Sequence, residues 1–193
     1  MTEYRTIVAD PPWPYSSRDA ITRSIKKGGD PAIGVGDTGY EFMDMDALCA
    51  VSVPASDNAH LYLWTTNAFM VQAHELATAW GFKPKTILTW VKTHQNDVAR
   101  VSMKAGYYFR GATEHCIFAV RGSLKLQITD GLPTAYLWPR LPHSVKPDAF
   151  FDLVESASPG PYLEMFGRRN RLGWDTQGDE CLEHVTLDRE DEA

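Results

Sequence analysis

The sequence predicts an α/β fold, an open and mostly parallel sheet with helices on both faces. Three observations carry this expectation. Five short runs, at 6–9, 60–65, 86–91, 114–120 and 162–166, have the apolar, β-branched or alternating character of strands. Helical patterns of about 11 to 13 residues, at 68–80 and 147–157, fall between strands, the arrangement of a parallel sheet with crossover helices. A chain of 193 residues has single-domain length and a core large enough to need no staple.

Thr6-Ile7-Val8-Ala9 reads as a buried strand whose exit is fixed at once by Asp10-Pro11-Pro12, since two prolines cannot continue a ladder. Residues 15–40 are polar and rich in glycine, a long loop of the kind that serves as a lid or binding loop. Asp44 or Asp46 caps a helix through about Val51. Asn67 caps the amphipathic stretch 68–80, and Gly81 stops it. The strands at 86–91 and 114–120 follow, the second closed by Arg121-Gly122 and succeeded by irregular chain to Pro142. Pro147 takes the first helical position, where its missing N–H is not needed, and Ser158-Pro159-Gly160 ends that helix. The last clear strand, 162–166, leads into Gly167. Open α/β sheets bind ligands at strand carboxyl ends, which singles out Asp10 and Gly167.

A hydrophobic fraction of 44% with 11% aromatic and 23% charged residues excludes disorder, collagen-like repeats and a coiled coil as the main architecture. With no apolar run near the ~18 residues of a membrane span and no basic-then-apolar leader, the chain is expected to be cytoplasmic. Cys49, Cys116 and Cys181 are odd in number and far apart, against a disulfide framework or thiolate zinc site. The net charge of −6 is concentrated at one end: residues 179–193 hold seven acids against Arg189 alone. We read 1–180 as one domain and 181–193 as an acidic tail. The segment 83–110 carries Lys83, Lys85, Lys92, Arg100, Lys104 and Arg110 against Asp97, which suits a phosphate-contacting stripe and a solvated face equally.

Asp10-Pro11-Pro12-Trp13 places a carboxylate, two prolines without donors and an indole at a strand exit. That is a rigid acceptor site beside an aromatic wall. The Asp10 carboxylate and the Asp10 and Pro11 carbonyls are suited to take both hydrogens of an exocyclic amine while Trp13 or Tyr15 stacks on the ring. An aromatic amine is a poor nucleophile because its lone pair is delocalised. Acceptors that draw its hydrogens out of plane favour a pyramidal nitrogen facing an electrophile. A bare Asp-Pro-Pro is more often only a turn; the strand before it and Trp13 after it narrow those odds. Lys146, just ahead of the helix at Pro147, forms with the first-turn N–H groups an anion site, although a lone lysine there is more often a surface residue.

The corner resembles the DPPW signature of the adenine amino-methyltransferases named for the seventy-kilodalton MT-A subunit of the messenger-RNA methyltransferase, relatives of the permuted β-class bacterial DNA enzymes. The resemblance runs over residues 4–180 through further ordered blocks: Leu61-Tyr62-Leu63-Trp64-Thr65-Thr66-Asn67, Trp80-Gly81-Phe82, Trp90-Val91-Lys92-Thr93, Glu114-His115-Cys116, His143-Ser144-Val145-Lys146-Pro147-Asp148, and Leu163-Glu164-Met165-Phe166-Gly167-Arg168 with Gly173-Trp174-Asp175. It implies a Rossmann-like, circularly permuted methyltransferase fold, S-adenosylmethionine as cofactor, and methylation of the adenine N6 amine in nucleic acid, DNA favoured over RNA. Asp10, Pro11, Pro12 and Trp13 are then catalytic, and Asp10, Lys146, Gly167, Arg168, Asn170, Asp179 and Glu180 line the cofactor. Tyr15 is expected on the target ring, with Lys92, Arg100 and Lys104 on a single strand or flipped adenine. Pairing as a homodimer or heterodimer fits the family.

Gly34-Val35-Gly36-Asp37-Thr38-Gly39 matches a dinucleotide fingerprint by letter but lacks the preceding strand that gives the pattern meaning. His115 beside Cys116 and His74 beside Glu75 lack a second ligand pair, so no metal is expected. Two rival readings remain. A catalytically silent nucleic-acid-binding subunit would bind no cofactor. Methylation of the cytosine N4 amine is almost the same chemical task, but its usual motif has serine where this chain has Asp10.

Overall fold

Tyr4–Ala9 (β1) lies inside the sheet because its last four residues are buried on both faces, the requirement for a strand flanked by parallel neighbours. The structure, a computed structural model, describes residues 3–14, 42–103, 108–128, 131–142 and 145–178. The loop 15–40, Tyr15, Lys104, Asp179, Glu180 and the tail 181–193 lie outside the described residues. After β1 come α1 (Met45–Ala50), β2 (Ala55–Thr65), a 3-10 turn (Asn67–Phe69), α2 (Met70–Ala79), β3 (Lys83–His94), β4 (Asp97–Val101), β5 (Thr113–Arg121), β6 (Ala135–Pro139), α3 (Asp148–Ala157), β7 (Tyr162–Met165) and β8 (Trp174–Gln177).

The sheet order is β4-β3-β5-β2-β1-β7-β8, with β6 also on β3. β1 pairs in parallel with β2 and β7, β7 with β8, and β3 with β6. β5 is antiparallel to β2 and β3, and β4 to β3. The sheet is therefore mixed, a correction to the mostly parallel one expected. The reason is local: the chain turns round after β3 and returns as β5 into the slot between β2 and β3. Among the described strands, β4 and β5 run against the other six, so the carboxyl ends of β1, β2, β3 and β7 share one edge with the amino end of β5.

Side-chain alternation then builds two cores. Ile7, Ala9, Leu61, Leu63, Ile117, Leu163 and Met165 face α1 and α2, meeting Leu48, Ala73 and Leu76. Val8, Tyr62, Trp64, Trp90 and Cys116 face the other way and meet Phe150, Phe151 and Val154 of α3. Helices thus cover both faces.

Local differences from the sequence reading have physical causes. Asp44 caps α1, accepting the Ala47 N–H at 2.8 Å. Asn67 is no cap: it opens a 3-10 turn, and α2 starts only at Met70. Pro147 is itself the cap of α3, with an extended ψ of 137°, so the first helical residue is Asp148. β4, β6 and β8 were not anticipated. Each is short and lies at or near a sheet margin, and β4 is exposed throughout, so their pairing is fixed by neighbours rather than by an apolar pattern.

Candidate active site

The ladder of β1 ends at Asp10, whose N–H still reaches the Met165 carbonyl at 3.4 Å. Beyond it the chain is held by non-ladder bonds. The Trp13 N–H donates to the Pro11 carbonyl at 2.9 Å, and the Met43 N–H to the Pro12 carbonyl at 3.1 Å. The Pro11 carbonyl therefore has one of its two lone pairs engaged. Trp13 also departs from expectation. Its ring is 3% exposed, its Nε1–H donates to the Trp64 carbonyl at 3.1 Å, and it stacks on Phe69 at 5.6 Å. The indole is a brace under the corner rather than a wall beside a ligand, because its face is already covered.

Asp10 faces Lys146, whose Nζ lies 2.6 Å from Asp10 Oδ2. The same ammonium is 3.6 Å from Glu114 Oε2, and the other Glu114 oxygen is hydrogen-bonded to Lys92 Nζ. Four alternating charges thus cross the sheet edge from β3 to β1. Their floor is aromatic: Lys92 Nζ lies 4.4 Å from the Trp90 ring centre and Lys146 Nζ 5.1 Å from that of Trp64. Burial disfavours charge on Lys146, yet Asp10 and Glu114 outweigh it and its pKa is raised. Cys116, behind this edge, has its thiol pushed well up by burial and is no thiolate nucleophile.

Lys92 was expected to contact substrate backbone. It is 6% exposed and committed to Glu114, so that assignment is corrected. Its position on β3 turns it toward Trp90, not toward solvent. Arg100 is exposed on β4, as a backbone contact must be. Glu114 and Glu164 had no role assigned from sequence; a lone carboxylate in a strand pattern reads as a solvated position, and the partners that reveal these two come from other strands.

At the exit of β7, Phe166 takes a left-handed φ of 60°, an uncommon conformation for a bulky residue. Gly167 follows. A Cβ there would run into the Thr176 methyl and stand 3.1 Å from Glu164 Cδ, and one on Gly178 would strike the Gly167 carbonyl. The ends of β7 and β8 therefore approach backbone to backbone. Glu164 points into the edge between them and Asp10. Its pKa is pushed up to about 7, by burial first, against the lowering charges of Arg171 and Arg169. Arg168 is half-buried and Asn170 exposed in the loop beyond. Arg169 and Arg171 both bond Asp148 at the start of α3, Arg169 at 2.9 Å.

Fold and site together define an α/β domain in which an acid-proline-proline corner and a lysine just ahead of a helix start meet at the carboxyl edge of a sheet. The MT-A70 family model matches residues 4–180, and the chain belongs to the MT-A70 family. It is 26% identical to a Drosophila melanogaster protein named N(6)-adenosine-methyltransferase MT-A70-like protein, over 92% of this chain and 27% of that one. To the Homo sapiens N(6)-adenosine-methyltransferase catalytic subunit METTL3 it is 25% identical, over 92% of this chain and 28% of the relative. To the type II methyltransferase M.MunI of a Mycoplasma species it is 28% identical, over 91% of this chain and 77% of that enzyme. The chain thus spans about a quarter of the length of the first two relatives and about three quarters of the third.

Proposed function

We propose that this domain transfers a methyl group from S-adenosylmethionine to the exocyclic N6 amine of adenine in nucleic acid, on a Rossmann-like, circularly permuted frame. The observation that carries the reading is the 2.6 Å contact of Lys146 with Asp10. It brings an anion-binding ammonium and a hydrogen-bond-accepting carboxylate to one point, where a cofactor carboxylate and a substrate amine have to be neighbours. DNA is favoured over RNA because the long match is to a type II methyltransferase.

The residues present fit that cofactor. Lys146 and the N–H groups at the start of α3 suit its carboxylate. The close approach at Gly167 and Gly178, where any Cβ would strike Thr176 or the Gly167 carbonyl, fixes the course of the β7–β8 exit that we assign to the ribose. Arg168 and Asn170 are assigned to the sugar, and Asp179 and Glu180 to the nucleoside. When bound, the cofactor supplies a sulfonium methyl as electrophile. Asp10 accepts one amine hydrogen and the remaining lone pair of Pro11 the other, holding the nitrogen pyramidal. Pro12 keeps the corner stiff and Trp13 braces it from below. Tyr15 is assigned the target ring in place of the buried indole. The proton leaves to Asp10 or water after transfer.

The substrate strand is assigned to the exposed segment after β3. Arg100 meets backbone there, Lys104 is assigned the same part, and Tyr108 and Phe109 are exposed beside Arg110. An aromatic and basic surface of this kind favours unpaired bases. A homodimer or heterodimer is consistent with the human relative being named a subunit.

Tritiated methyl transfer to single- and double-stranded DNA and RNA in parallel, followed by digestion to nucleosides, tests the reading. Label in N6-methyladenine, strongest with single-stranded DNA and lost in Asp10→Ala, is expected. Label in N4-methylcytosine would move the target to cytosine. No binding of labelled cofactor by the wild-type chain would identify a silent subunit and end the proposal.

A further inference from the structure

Lys146 and Asp10 neutralise each other in this structure, and that creates a difficulty for the proposed chemistry. With Oδ2 bonded to an ammonium at 2.6 Å, the Asp10 carboxylate is a weakened acceptor for the hydrogens of an incoming amine. The ammonium cannot retire to water, because the Lys146 side chain is only 10% exposed. Among the described residues two carboxylates lie within ion-pair distance of it: Asp10, and Glu114 with Oε2 at 3.6 Å.

We infer that Glu114 is a positioning residue, a second seat onto which the Lys146 ammonium moves by about 1 Å when a ligand claims Asp10. The distance follows from the two contacts, 2.6 Å and 3.6 Å. Lys92 keeps that seat in place. Its ammonium, seated over the Trp90 ring, holds the other oxygen of Glu114, which prevents the carboxylate from turning away and balances the charge that Glu114 brings into the edge. The indole floor of Trp64 and Trp90, in edge contact at 6.2 Å, lies beneath both seats, so the move needs no new desolvation. Glu114 acts through Lys146 and touches neither reacting atom. The inference rests on the assignment of Asp10 as acceptor of the amine.

The test uses the full chain with S-adenosylmethionine and a single-stranded adenine-containing DNA, measuring kcat at saturating cofactor, cofactor Kd, and the pH profile for Glu114→Gln, Glu114→Asp and Asp10→Ala. Glu114→Gln is expected to lose about tenfold in kcat, with cofactor Kd moving less than about threefold, and Glu114→Asp to recover part of the loss. Burial disfavours the Lys146 charge but Asp10 and Glu114 outweigh it and raise its pKa, so Lys146 stays charged and the Glu114→Gln defect should persist across neutral pH. The groups facing Lys146 are Asp10 at the exit of β1, Glu114 and Cys116 on β5 and Glu164 on β7, with Lys92 on β3 behind Glu114. If Glu114→Gln does not fold with Lys92 unpaired, Lys92→Met/Glu114→Gln removes one charge of each sign and should show the same lowered kcat.

A kcat within twofold of wild type in the folded variant overturns the inference. So does a loss that is not recovered at all by Glu114→Asp, which would mark a packing role. Retained turnover in Asp10→Ala would instead overturn the assignment of the corner itself.

Discussion

In the proposed reaction Trp13 acts only by holding the corner still. Its indole fills the space over Phe69 and its N–H satisfies the Trp64 carbonyl. Trp13→Ala is expected to cost about 3–5 kcal/mol of stability from the cavity and the orphaned carbonyl, read by urea denaturation. A destabilisation under 1 kcal/mol accompanied by a raised substrate KM would mean that the ring meets substrate after all. Lys92 and Arg100 give a second contrast at this scale. Lys92→Ala unpairs a carboxylate at the sheet edge and should lower the melting temperature while leaving the salt dependence of DNA binding unchanged. Arg100→Ala should leave stability within about 0.5 kcal/mol and reduce the salt slope by about 1. The two residues look alike in sequence, as basic positions eight apart in one stripe. What separates them is Glu114, which reaches Lys92 only because β5 returns beside β3. Asp10 and Lys146 were legible without any such partner, the first because two prolines mark a strand exit and the second because a proline marks a helix start. Glu114 and Glu164 were not, since nothing local gives a strand carboxylate a task.

The elements follow the same division. α2 ends where the sequence says, and the cap explains why: Gly81 at φ 81° donates to the Thr78 carbonyl at 2.9 Å and Phe82 to that of Ala77 at 2.9 Å. β1 and β2 are legible because burial makes their second halves nearly apolar runs, and β7 because buried Leu163 and Met165 alternate with Tyr162 and Glu164. β6 is not: Leu137 is 54% exposed there, and the strand exists through its parallel register with residues 89–93 of β3. β8 likewise depends on β7, and the close packing of their exits is where a glycine rule becomes a functional one. Gly167→Ala would press a methyl on Thr176 and Glu164 at the exit assigned to the ribose. Its expected outcome is a cofactor Kd raised at least about tenfold in isothermal titration, with the melting temperature reduced by only a few degrees. Cofactor affinity within twofold of wild type would remove the β7–β8 exit from the site.

At the scale of the whole molecule, two buried ionisable groups set opposing pH dependences on the fold. His60 is held neutral: burial lowers its pKa, with its ring nitrogens between Ser158 at 2.7 Å and the Leu124 carbonyl at 3.1 Å. The unfolded chain binds a proton there that the folded chain does not, so stability is lost as pH falls below the ordinary histidine value of about 6.5. Glu164 works the other way. Its pKa is raised from 4.5 to about 7, so between those values the folded chain holds a proton that the unfolded chain has released, and stability falls as pH rises through that window. Glu164→Gln removes the second dependence and leaves the first. Its unfolding free energy in urea should match wild type below pH 4.5, then exceed it progressively to about 3 kcal/mol above pH 7. Stability curves that run parallel from pH 4 to 8 would mean that Glu164 ionises as freely in the folded chain as in the unfolded one.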